Sequence, residues 1–338
     1  MALRITDHAD LQRLNSFGVR ARAKTLIELD DVNDAAQALE LLRSAPSALI
    51  LGGGSNLLIT GDIDGTVLRI ALRGLKIQDA GHDHVIVEAA AGEPWPGLVQ
   101  WCLAERLYGL ENLSLIPGLA GAAPVQNIGA YGIELSHRID TVQALNIETG
   151  RLQEFSRADC EFGYRDSLFK RQSGHWLIVS IRMKLSRTAQ PCLSYPSLAE
   201  ALRTQMRPTA EQVAQAVCAL RRQRLPDPAI LGNAGSFFKN PLVDPITAAK
   251  LRDQHPGMPQ FSAGAQGTKL AAAWLIEHCG WKGHREGDAG VHHHHALVLV
   301  NYGRASGAQL LDLARRIQAS VHERFAIELE PEPVIIGS

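Results

Sequence analysis

The alternation of apolar and polar residues predicts a chain built from both helices and strands. Residues 31–44 place apolar side chains on one face of a helix, and the apolar run 48–51 that follows is typical of a buried strand. The strands predicted in this way are 48–51, 57–59, 84–90, 142–147, 152–155 and 296–300. Thr149-Gly150 is expected to form the turn of a hairpin between the fourth and fifth of them.

Apolar residues at helical spacing, together with residues typical of helix starts and ends, predict four more helices. They are expected at 95–107, 211–224, 269–279 and about 307–325. Thr209 and Gln212 form a capping-box pattern at the start of the second of these helices. Gly280 is expected to end the third. Helices and strands are therefore interspersed along the whole chain.

Composition limits the class of protein. A length of 338 residues exceeds what one hydrophobic core usually supports, so two or three packed units are expected. The 46% hydrophobic and 20% charged residues suit a soluble globular protein, and a net charge of -1 provides no general basic surface for nucleic acid. The first residues lack a signal-peptide pattern and no apolar stretch approaches the length of a membrane span. We therefore expect a cytoplasmic protein without membrane insertion.

Cysteine usage disfavours two kinds of stabilisation. The five cysteines are odd in number, widely spread and without any CxxC pair, which argues against a disulfide framework and against a thiolate metal site. We interpret them as buried thiols, at Cys102, Cys160, Cys192, Cys218 and Cys279.

Two glycine-rich loops are the first candidates for ligand binding. Residues 51–56, Leu-Gly-Gly-Gly-Ser-Asn, separate two predicted strands, so their backbone amides can turn toward one bound phosphate; a simple tight turn is the alternative. The dinucleotide fingerprint is not met, because Leu57 occupies the third glycine position and a strand follows. The second loop, 116–132, is long, neutral and glycine-rich. A flat uncharged cofactor can lie against it, although a purely structural loop is again possible.

The second loop also carries a specific resemblance. The sequence IPGLAGAAPVQNIGAYGIEL at 116–135 resembles the flavin-binding loop of the UDP-N-acetylenolpyruvoylglucosamine reductase (MurB) family. Four further segments agree with that family in the same order, namely LGGGSN at 51–56, CEFGYRDSLFK at 160–170, LPDPAILGNAGSFFKNP at 225–241 and LEPEPVIIG at 329–337. Matches in the same order over nearly the whole chain are stronger evidence for this family resemblance than any single glycine pattern.

The resemblance implies a fold and a division into domains. The expected class is α+β, with a p-cresol methylhydroxylase/vanillyl-alcohol oxidase-type FAD-binding fold in two subdomains and a C-terminal α+β substrate domain. FAD-binding subdomain 1 is expected at 1–73, joined by the C-terminal strand 333–338. Subdomain 2 is expected at 74–210 and the substrate-binding domain at 211–332. Tyr195 places the sequence in the branch of the family with an extra tyrosine-bearing loop.

The resemblance also implies an activity. It is the NADPH-dependent, FAD-mediated reduction of UDP-N-acetylglucosamine enolpyruvate to UDP-N-acetylmuramate in peptidoglycan precursor synthesis, with FAD bound noncovalently. Hydride passes from flavin N5 to the enolpyruvyl methylene, and negative charge then develops beside the substrate carboxylate. The site must stabilise that enolate and deliver a proton. By resemblance, Ser236 donates the proton while Arg165 and Glu332 stabilise the enolate.

Each of these three residues has a plain structural interpretation as well. Ser236 follows small residues and precedes two phenylalanines, so it is either a desolvated proton donor or a turn serine. The guanidinium fork of Arg165 suits a carboxylate, but pairing with Asp166 is the structural alternative. Glu332 is restrained by a proline on each side, and near a terminus it is otherwise a surface charge.

Further ligand contacts follow from the resemblance. The implied FAD-binding residues are Gly52, Gly53, Gly54, Ser55, Asn56, Pro117, Gly118, Gly121, Ala122, Ala123, Ile128 and Gly129. The implied substrate-binding residues are Tyr131, Tyr164, Tyr195, Arg224, Lys239, Asn240 and His295. Arg224 departs from the lysine of some relatives, and the two cations meet a diphosphate with different geometry. Arg221, Arg222 and Arg224 either contact the 2′-phosphate of NADPH or form an ordinary solvated helix face.

Four consecutive histidines, His292 to His295, raise a metal hypothesis. Because adjacent residues entering a strand point to opposite faces, the four imidazoles cannot all bind one ion. We therefore expect surface histidines and no metal. His295 is a separate case, because the family commonly has Gln or His at this position near the substrate and a neutral imidazole can replace an amide as a donor.

Two other functions compete with the reductase. An FAD-dependent sugar or alcohol oxidase shares the cofactor fold but moves hydride from substrate to flavin. A non-catalytic nucleotide-binding regulator retains the loops and lacks the chemistry, and the joint presence of Arg165, Ser236 and Glu332 argues against it. The sequence indicates no obligate protein partner.

Overall fold

A computed structural model describes residues 3–264 and 267–337 and shows a mixed α+β fold. Its strands are β1 (Arg4–Asp10), β2 (Arg22–Leu29), β3 (Ala48–Leu51), β4 (Leu57–Ile59), β5 (Ile63–Ile70), β6 (Leu75–Asp79), β7 (His84–Ala90), β8 (Gly129–Ala130), β9 (Ile133–Glu134), β10 (Ile139–Asn146), β11 (Leu152–Ser156), β12 (Trp176–Ser186), β13 (Gly232–Asn233), β14 (Leu242–Val243), β15 (Gln260–Ser262), β16 (Thr268–Leu270), β17 (Arg285–Glu286), β18 (Ala289–Val291), β19 (Leu299–Asn301) and β20 (Val334–Ile336). Its α-helices are α1 (Ala35–Arg43), α2 (Trp95–Ala104), α3 (Leu168–Arg171), α4 (Pro196–Ala201), α5 (Ala210–Arg224), α6 (Pro245–Gln254), α7 (Ala272–His278) and α8 (Gly307–Phe325).

The chain divides into two compact units, and each gathers segments that are distant in sequence. Among the described residues, the first unit contains 3–9, 23–54 and 63–223, and the second contains 10–22, 55–62 and 224–337. The three-part division expected from the sequence stays a prediction.

The first unit is built on two larger sheets, beside the short pair β8-β9. One has the strand order β1-β2-β5-β3, in which β5 runs parallel to both β2 and β3. The other is antiparallel, with the order β11-β10-β12-β7-β6. Alternate residues of β7 are buried, as expected for a strand with one face on the core. Helix α2 adds Trp95, which is 1% exposed and donates from its indole nitrogen to the Leu113 carbonyl at 3.0 Å.

The second unit has three small sheets and the long helix α8. The sheet orders are β13-β19-β18-β17, β14-β16-β15 and β20-β4. β20 pairs with β4 in parallel, with Val334 opposite Leu57, so the end of the chain is fixed against residues 55–62. Helix α8 begins with a capping box between Ser306 and Gln309. A Cβ atom added to Gly307 would lie 1.8 Å from the carbonyl oxygen of Ile59, so only glycine allows the helix to start so close to β4.

Several predicted elements are confirmed. The strands 48–51, 57–59 and 84–90 and the helix 307–325 have the predicted bounds, and helix 1 lies inside 31–44. The predicted hairpin forms with Leu145 opposite Leu152, and Gly150 takes the left-handed φ of 68° that its turn requires. The capping box also forms, because the amides of Thr209 and Gln212 bond reciprocally to the two side chains at 2.9 and 3.3 Å.

Other predicted bounds are wrong, and long-range pairing explains one of them. The helix predicted at 269–279 starts only at Ala272, because residues 268–270 pair as the central strand β16 between β14 and β15. The strand predicted at 296–300 starts only at Leu299. The helix predicted at 95–107 ends at Ala104.

The histidine run does not enter a strand directly. It lies in the connection between β18 and β19, which is closed by hydrogen bonds from the His292 amide to the Val298 carbonyl at 2.8 Å and from the Val298 amide to the His295 carbonyl at 3.1 Å. The expectation of surface histidines is confirmed for His293 and His294, which are exposed, and wrong for His292, which is 7% exposed. The turn directs the first imidazole inward.

Two further sequence expectations concern helices and thiols. No helix in the part of the chain that the structure describes is long and apolar enough to cross a membrane. The five cysteines are free, but only Cys102 and Cys160 are buried, and burial raises the pKa of each of these two thiols to about 12. The remaining three are half-buried, so the prediction of buried thiols is wrong for them.

Candidate active site

The two glycine loops lie against each other within the first unit. A Cβ atom added to Gly53 would stand 2.9 Å from the Cα atom of Gly118, and one added to Gly52 would stand 3.2 Å from the Cβ atom of Ala122. A Cβ atom on Gly121 would be only 2.5 Å from that of Ala91. Glycine therefore lets the backbone of the two loops approach each other, and this leaves their amides close together for one ligand.

A cavity of about 150 Å³ opens beside this contact. Gly52 of the first loop and Gly121 and Ala122 of the second form part of its wall. The remaining lining is mainly apolar and includes Phe169 and Trp176. Apolar and aromatic walls of this kind suit a planar ring. The residues present therefore fit FAD, with backbone amides for phosphate and apolar side chains for a ring.

Asn127 anchors the second loop from inside. Its side chain is 1% exposed and its backbone has a left-handed φ of 45°. Nδ2 donates to Glu134 Oε2 at 2.9 Å and to the Gly163 carbonyl at 3.0 Å, while Oδ1 accepts from the Ser136 amide at 2.9 Å. One buried amide thus joins three points of the backbone and side chains around the loop.

The segment 160–170 is bound to the same loop at two more positions. Ser167, which is fully buried, donates from Oγ to the Val125 carbonyl at 2.7 Å. Arg165 has a left-handed φ of 54° and donates from Nη2 to the Gly129 carbonyl at 2.9 Å. Asp166 forms its ion pair with Arg171, so the pairing of Arg165 with Asp166 that the sequence left open is not formed. The guanidinium of Arg165 is directed at the second glycine loop instead.

Two predicted substrate-binding tyrosines meet in the first unit. The rings of Tyr131 and Tyr195 are edge to face, with centroids 5.2 Å apart. Asn112 holds their segments together, because its Nδ2 donates to the carbonyls of Tyr131 at 2.8 Å and Cys192 at 2.9 Å. The third, Tyr164, is half-buried beside Arg165, whose guanidinium carbon lies 5.6 Å from the centre of its ring.

The second unit brings Ser236 and Glu332 together. The amide of Glu332 donates to the carbonyl of Phe237, the residue after Ser236, at 2.8 Å. Asn56 Nδ2 donates to the Glu332 carbonyl at 3.3 Å, so the end of the first loop reaches the same place. Phe237 and Phe238 are 0% and 1% exposed and anchor this backbone in the core of the unit. Two of the three predicted catalytic residues are thus on adjacent, firmly held segments.

His295 lies beside the same backbone. The Phe237 amide donates to the Leu297 carbonyl at 2.7 Å, and the Leu297 amide donates to His295 Nδ1 at 3.3 Å. Burial, and after it the positive charges of Arg224 and Lys282, lower the pKa of His295 below its usual value. The imidazole is therefore neutral near pH 7, with Nδ1 as an acceptor and the proton on Nε2 as a donor.

Lys239 and Asn240 have contacts within the protein. The ammonium of Lys239 forms an ion pair with the carboxylate of Glu330. Asn240 Oδ1 accepts from the Ala272 amide at 3.0 Å and so satisfies a donor at the start of α7. Arg224 is exposed at the end of α5. Their contacts with a substrate stay predictions.

The predicted site residues are distributed over both units. The first unit holds Gly52, Gly53, Gly54, Pro117, Gly118, Gly121, Ala122, Ala123, Ile128, Gly129, Tyr131, Tyr164, Arg165 and Tyr195. The second unit holds Ser55, Asn56, Arg224, Ser236, Lys239, Asn240, His295 and Glu332. Asn112, Asn127 and Ser167, which hold these loops, were not predicted from the sequence. An asparagine inside a glycine-rich loop was the available signal, because asparagine tolerates left-handed backbone.

Comparison with known proteins agrees with this geometry. Residues 23–156 match the family model described as FAD binding domain, and residues 227–336 match that of the UDP-N-acetylenolpyruvoylglucosamine reductase C-terminal domain. The fold and the site thus define an FAD-dependent oxidoreductase of the α+β class, as the sequence predicted.

Full-length relatives identify the family. The chain is 50% identical over 336 residues to UDP-N-acetylenolpyruvoylglucosamine reductase of Pseudomonas putida, with 98% of this chain and 99% of the relative covered. It is 50% identical over 342 residues to that of Chromobacterium violaceum, with 99% and 100% covered. The solved reductase from Thermus caldophilus superposes with a TM-score of 0.69 at 25% identity and covers 100% of both chains. The chain belongs to the UDP-N-acetylenolpyruvoylglucosamine reductase (MurB) family.

Proposed function

We propose that this protein reduces UDP-N-acetylglucosamine enolpyruvate to UDP-N-acetylmuramate in the cytoplasm, with FAD as its cofactor and NADPH as its reductant. The product is a precursor of peptidoglycan. The observation that carries the proposal is 50% identity to such reductases over 98% of the chain, together with the adjacent placement of Ser236 and Glu332. FAD, when bound, supplies the hydride carrier between the two substrates.

The first unit is proposed to bind the cofactor and to bind the substrate carboxylate. The amides of Gly52 to Gly54 and of the second loop hold the pyrophosphate, and the apolar cavity beside Gly121 holds a ring. Arg165 is restrained by its bond to Gly129, so its guanidinium is oriented before a ligand arrives. Tyr131, Tyr164 and Tyr195 are proposed to border the substrate.

The second unit is proposed to complete the chemistry. Ser236 donates a proton to the substrate carbon that becomes negative, and Glu332 acts with Arg165 on the developing enolate. His295 presents Nε2–H to the substrate as a neutral donor, and Arg224 with Asn240 and Lys239 meets the diphosphate. The three-part division, with subdomains 1–73 and 74–210 and the substrate domain 211–332, is part of this proposal.

An absorbance experiment tests the function. Purified protein that is yellow should bleach with NADPH under anaerobic conditions and regain its flavin spectrum on addition of the enolpyruvyl substrate. Rapid reoxidation by oxygen, with no recovery on the enolpyruvyl substrate, would instead establish the oxidase alternative.

Ser236→Ala tests the proposed proton donor by separating the two halves of the reaction. The variant should bleach with NADPH at the parent rate, because the hydroxyl has no task in that half. Reoxidation by the enolpyruvyl substrate should slow by ~10²–10⁴-fold, the loss typical of a missing general acid. Ser236→Cys is the conservative control and should retain part of the rate. Stopped-flow absorbance measures the flavin reduction and the flavin reoxidation separately, at saturating substrate. If Ser236→Ala is reoxidised at the parent rate, Ser236 is only a turn residue.

A further inference from the structure

Lys170 is the last residue of the segment 160–170 and has no role in the function proposed above. It is half-buried on the short helix α3, and its Nζ donates to the carbonyl of Arg165 at 2.9 Å. Arg165 is the residue proposed to act on the substrate carboxylate and on the enolate. The structure thus joins the ammonium of Lys170 directly to the backbone of a proposed catalytic residue.

The backbone at Arg165 is strained. Residues 163–166 form a tight turn, closed by hydrogen bonds from the Gly163 amide to the Asp166 carbonyl at 2.9 Å and from the Asp166 amide to the Gly163 carbonyl at 3.3 Å. Arg165 is the third residue of this turn and has a left-handed φ of 54°. Glycine or asparagine is usual at such a position, because a larger side chain makes this backbone unfavourable. Strained backbone of this kind persists only where the surrounding contacts hold it.

Helix α3 supplies such contacts. Its N-cap residue, Ser167, is fully buried, and the Ser167 Oγ accepts from the Lys170 amide at 3.2 Å and donates to the Val125 carbonyl at 2.7 Å. Because Val125 belongs to the second glycine loop, the backbone of Lys170 is fixed relative to that loop. The Lys170 side chain then reaches back to the Arg165 carbonyl. A hydrogen bond from an ammonium is stronger than one from a neutral donor, so this bond holds the carbonyl and with it the conformation of the turn.

The same turn determines where the Arg165 guanidinium points. Its Nη2 donates to the carbonyl of Gly129, also in the second glycine loop, at 2.9 Å. The arginine is thus held at its backbone by Lys170 and at its side chain by Gly129. If its backbone relaxed to an ordinary conformation, the side chain would leave the turn in another direction. A shift of about 1 Å in a group that acts on the reacting atoms can lower a rate by ~10²-fold.

We propose that Lys170 is a positioning residue for Arg165, because its hold on the Arg165 carbonyl maintains the left-handed backbone that directs the guanidinium toward the substrate carboxylate. The proposal deepens the proposed function and rests on it. Lys170 acts through Arg165 and not on the substrate itself. Removing its ammonium should therefore matter only while the Arg165 guanidinium is present.

A double-mutant cycle on flavin reoxidation tests this proposal. FAD-loaded protein is reduced with NADPH and then mixed with saturating enolpyruvyl substrate under anaerobic conditions. Lys170→Met, which removes the ammonium and keeps an unbranched side chain, should slow reoxidation by ~10- to 100-fold. Its flavin reduction by NADPH should stay within a few-fold of the parent. Arg165→Met should slow reoxidation by ~10²–10³-fold, as expected when one oriented donor to a developing oxyanion is lost. The double variant should be within about 3-fold of Arg165→Met alone.

Arg171→Met is the matched control, since it removes the next cation of α3, which pairs with the carboxylates of Asp166 and Glu161. Exposed ion pairs contribute little, so its reoxidation should stay within a few-fold of the parent. An equal loss in Lys170→Met and Arg171→Met would overturn the proposal. It would also be overturned if Lys170→Met keeps the parent rate, slows flavin reduction as much as reoxidation, or multiplies the loss caused by Arg165→Met.

Two further readings keep the test decisive. If Lys170→Met does not retain FAD, Lys170→Gln takes its place with the same outcomes. Parent protein that NADPH reduces and the enolpyruvyl substrate does not reoxidise would refute the proposed function, and this proposal with it. An active parent with any of the contrary results overturns the role of Lys170 alone.

Discussion

Replacing Asn127 by alanine should loosen the cofactor loop more than any surface substitution. Asn127→Ala removes two donated bonds, to Glu134 and to the Gly163 carbonyl, and one accepted from the Ser136 amide. Ser136 is 7% exposed, so its amide loses its partner in a place that water reaches poorly. The alanine must also adopt the left-handed φ of 45°.

The magnitude follows from these contacts. A buried polar group left without its partner costs about 1–3 kcal/mol, and left-handed backbone costs a non-glycine residue roughly 1–2 kcal/mol. The Glu134 carboxylate is half-buried and can hydrogen-bond to water instead, so losing its bond to Asn127 costs the least of the three. We expect a decrease of about 3–5 kcal/mol in the free energy of unfolding, a large part of the ~5–15 kcal/mol typical of folded proteins.

Urea unfolding of the FAD-loaded protein measures the change, with circular dichroism for the fold and flavin fluorescence for cofactor release. Asn127→Gly loses the same three bonds but tolerates the φ, so it should be destabilised by about 1 kcal/mol less than Asn127→Ala. Asn33→Ala, at an exposed asparagine, should stay within ~0.5 kcal/mol of the parent. If Asn127→Ala retains FAD and its free energy of unfolding stays within ~1 kcal/mol of the parent value, Asn127 does not hold the loop as argued here.

Three further predictions concern the cofactor and the histidines. FAD should be released by acid precipitation, because no cysteine or histidine is marked as an attachment point; colour that stays with the denatured pellet would show a covalent link. Replacing the exposed His293 and His294 by Gln should change the catalytic rate by no more than a few-fold. Adding His292→Gln, at the buried histidine, should also lower the free energy of unfolding by about 1 kcal/mol. Activity that is lost in these variants and restored by zinc would revive the metal hypothesis. Because the pKa of His295 is lowered from 6.5, the unfolded chain binds more protons than the folded one just below that pH, so stability should fall as pH drops from about 7 to 5. His295→Gln should flatten that slope in unfolding curves, and an unchanged slope would contradict the burial of its imidazole.

The candidate site shows where local sequence is sufficient and where it is not. By resemblance, ordered motifs predict that Arg165, Ser236 and Glu332 share one family site, and this stays a prediction. The phenylalanines after Ser236 are as buried as their apolar character suggests. The sequence left two alternatives for Arg165, the carboxylate of a substrate and the neighbouring carboxylate of Asp166. In the structure Asp166 pairs with Arg171, and Arg165 Nη2 donates to the carbonyl of Gly129, 36 residues away in sequence.

The sequence by itself determined the elements whose signal is local. The alternation in β7, the face of α8 and the turn at Gly150 each depend on residues close together in the chain, and each formed with the predicted bounds or geometry. Tertiary structure alone decided that 268–270 is a strand, that His292 is buried and that Arg221 leaves the solvated face of its helix. Strand pairing, side-chain burial and charge balance depend on residues that are distant in sequence. A local periodic pattern does not specify which distant residues will make those contacts.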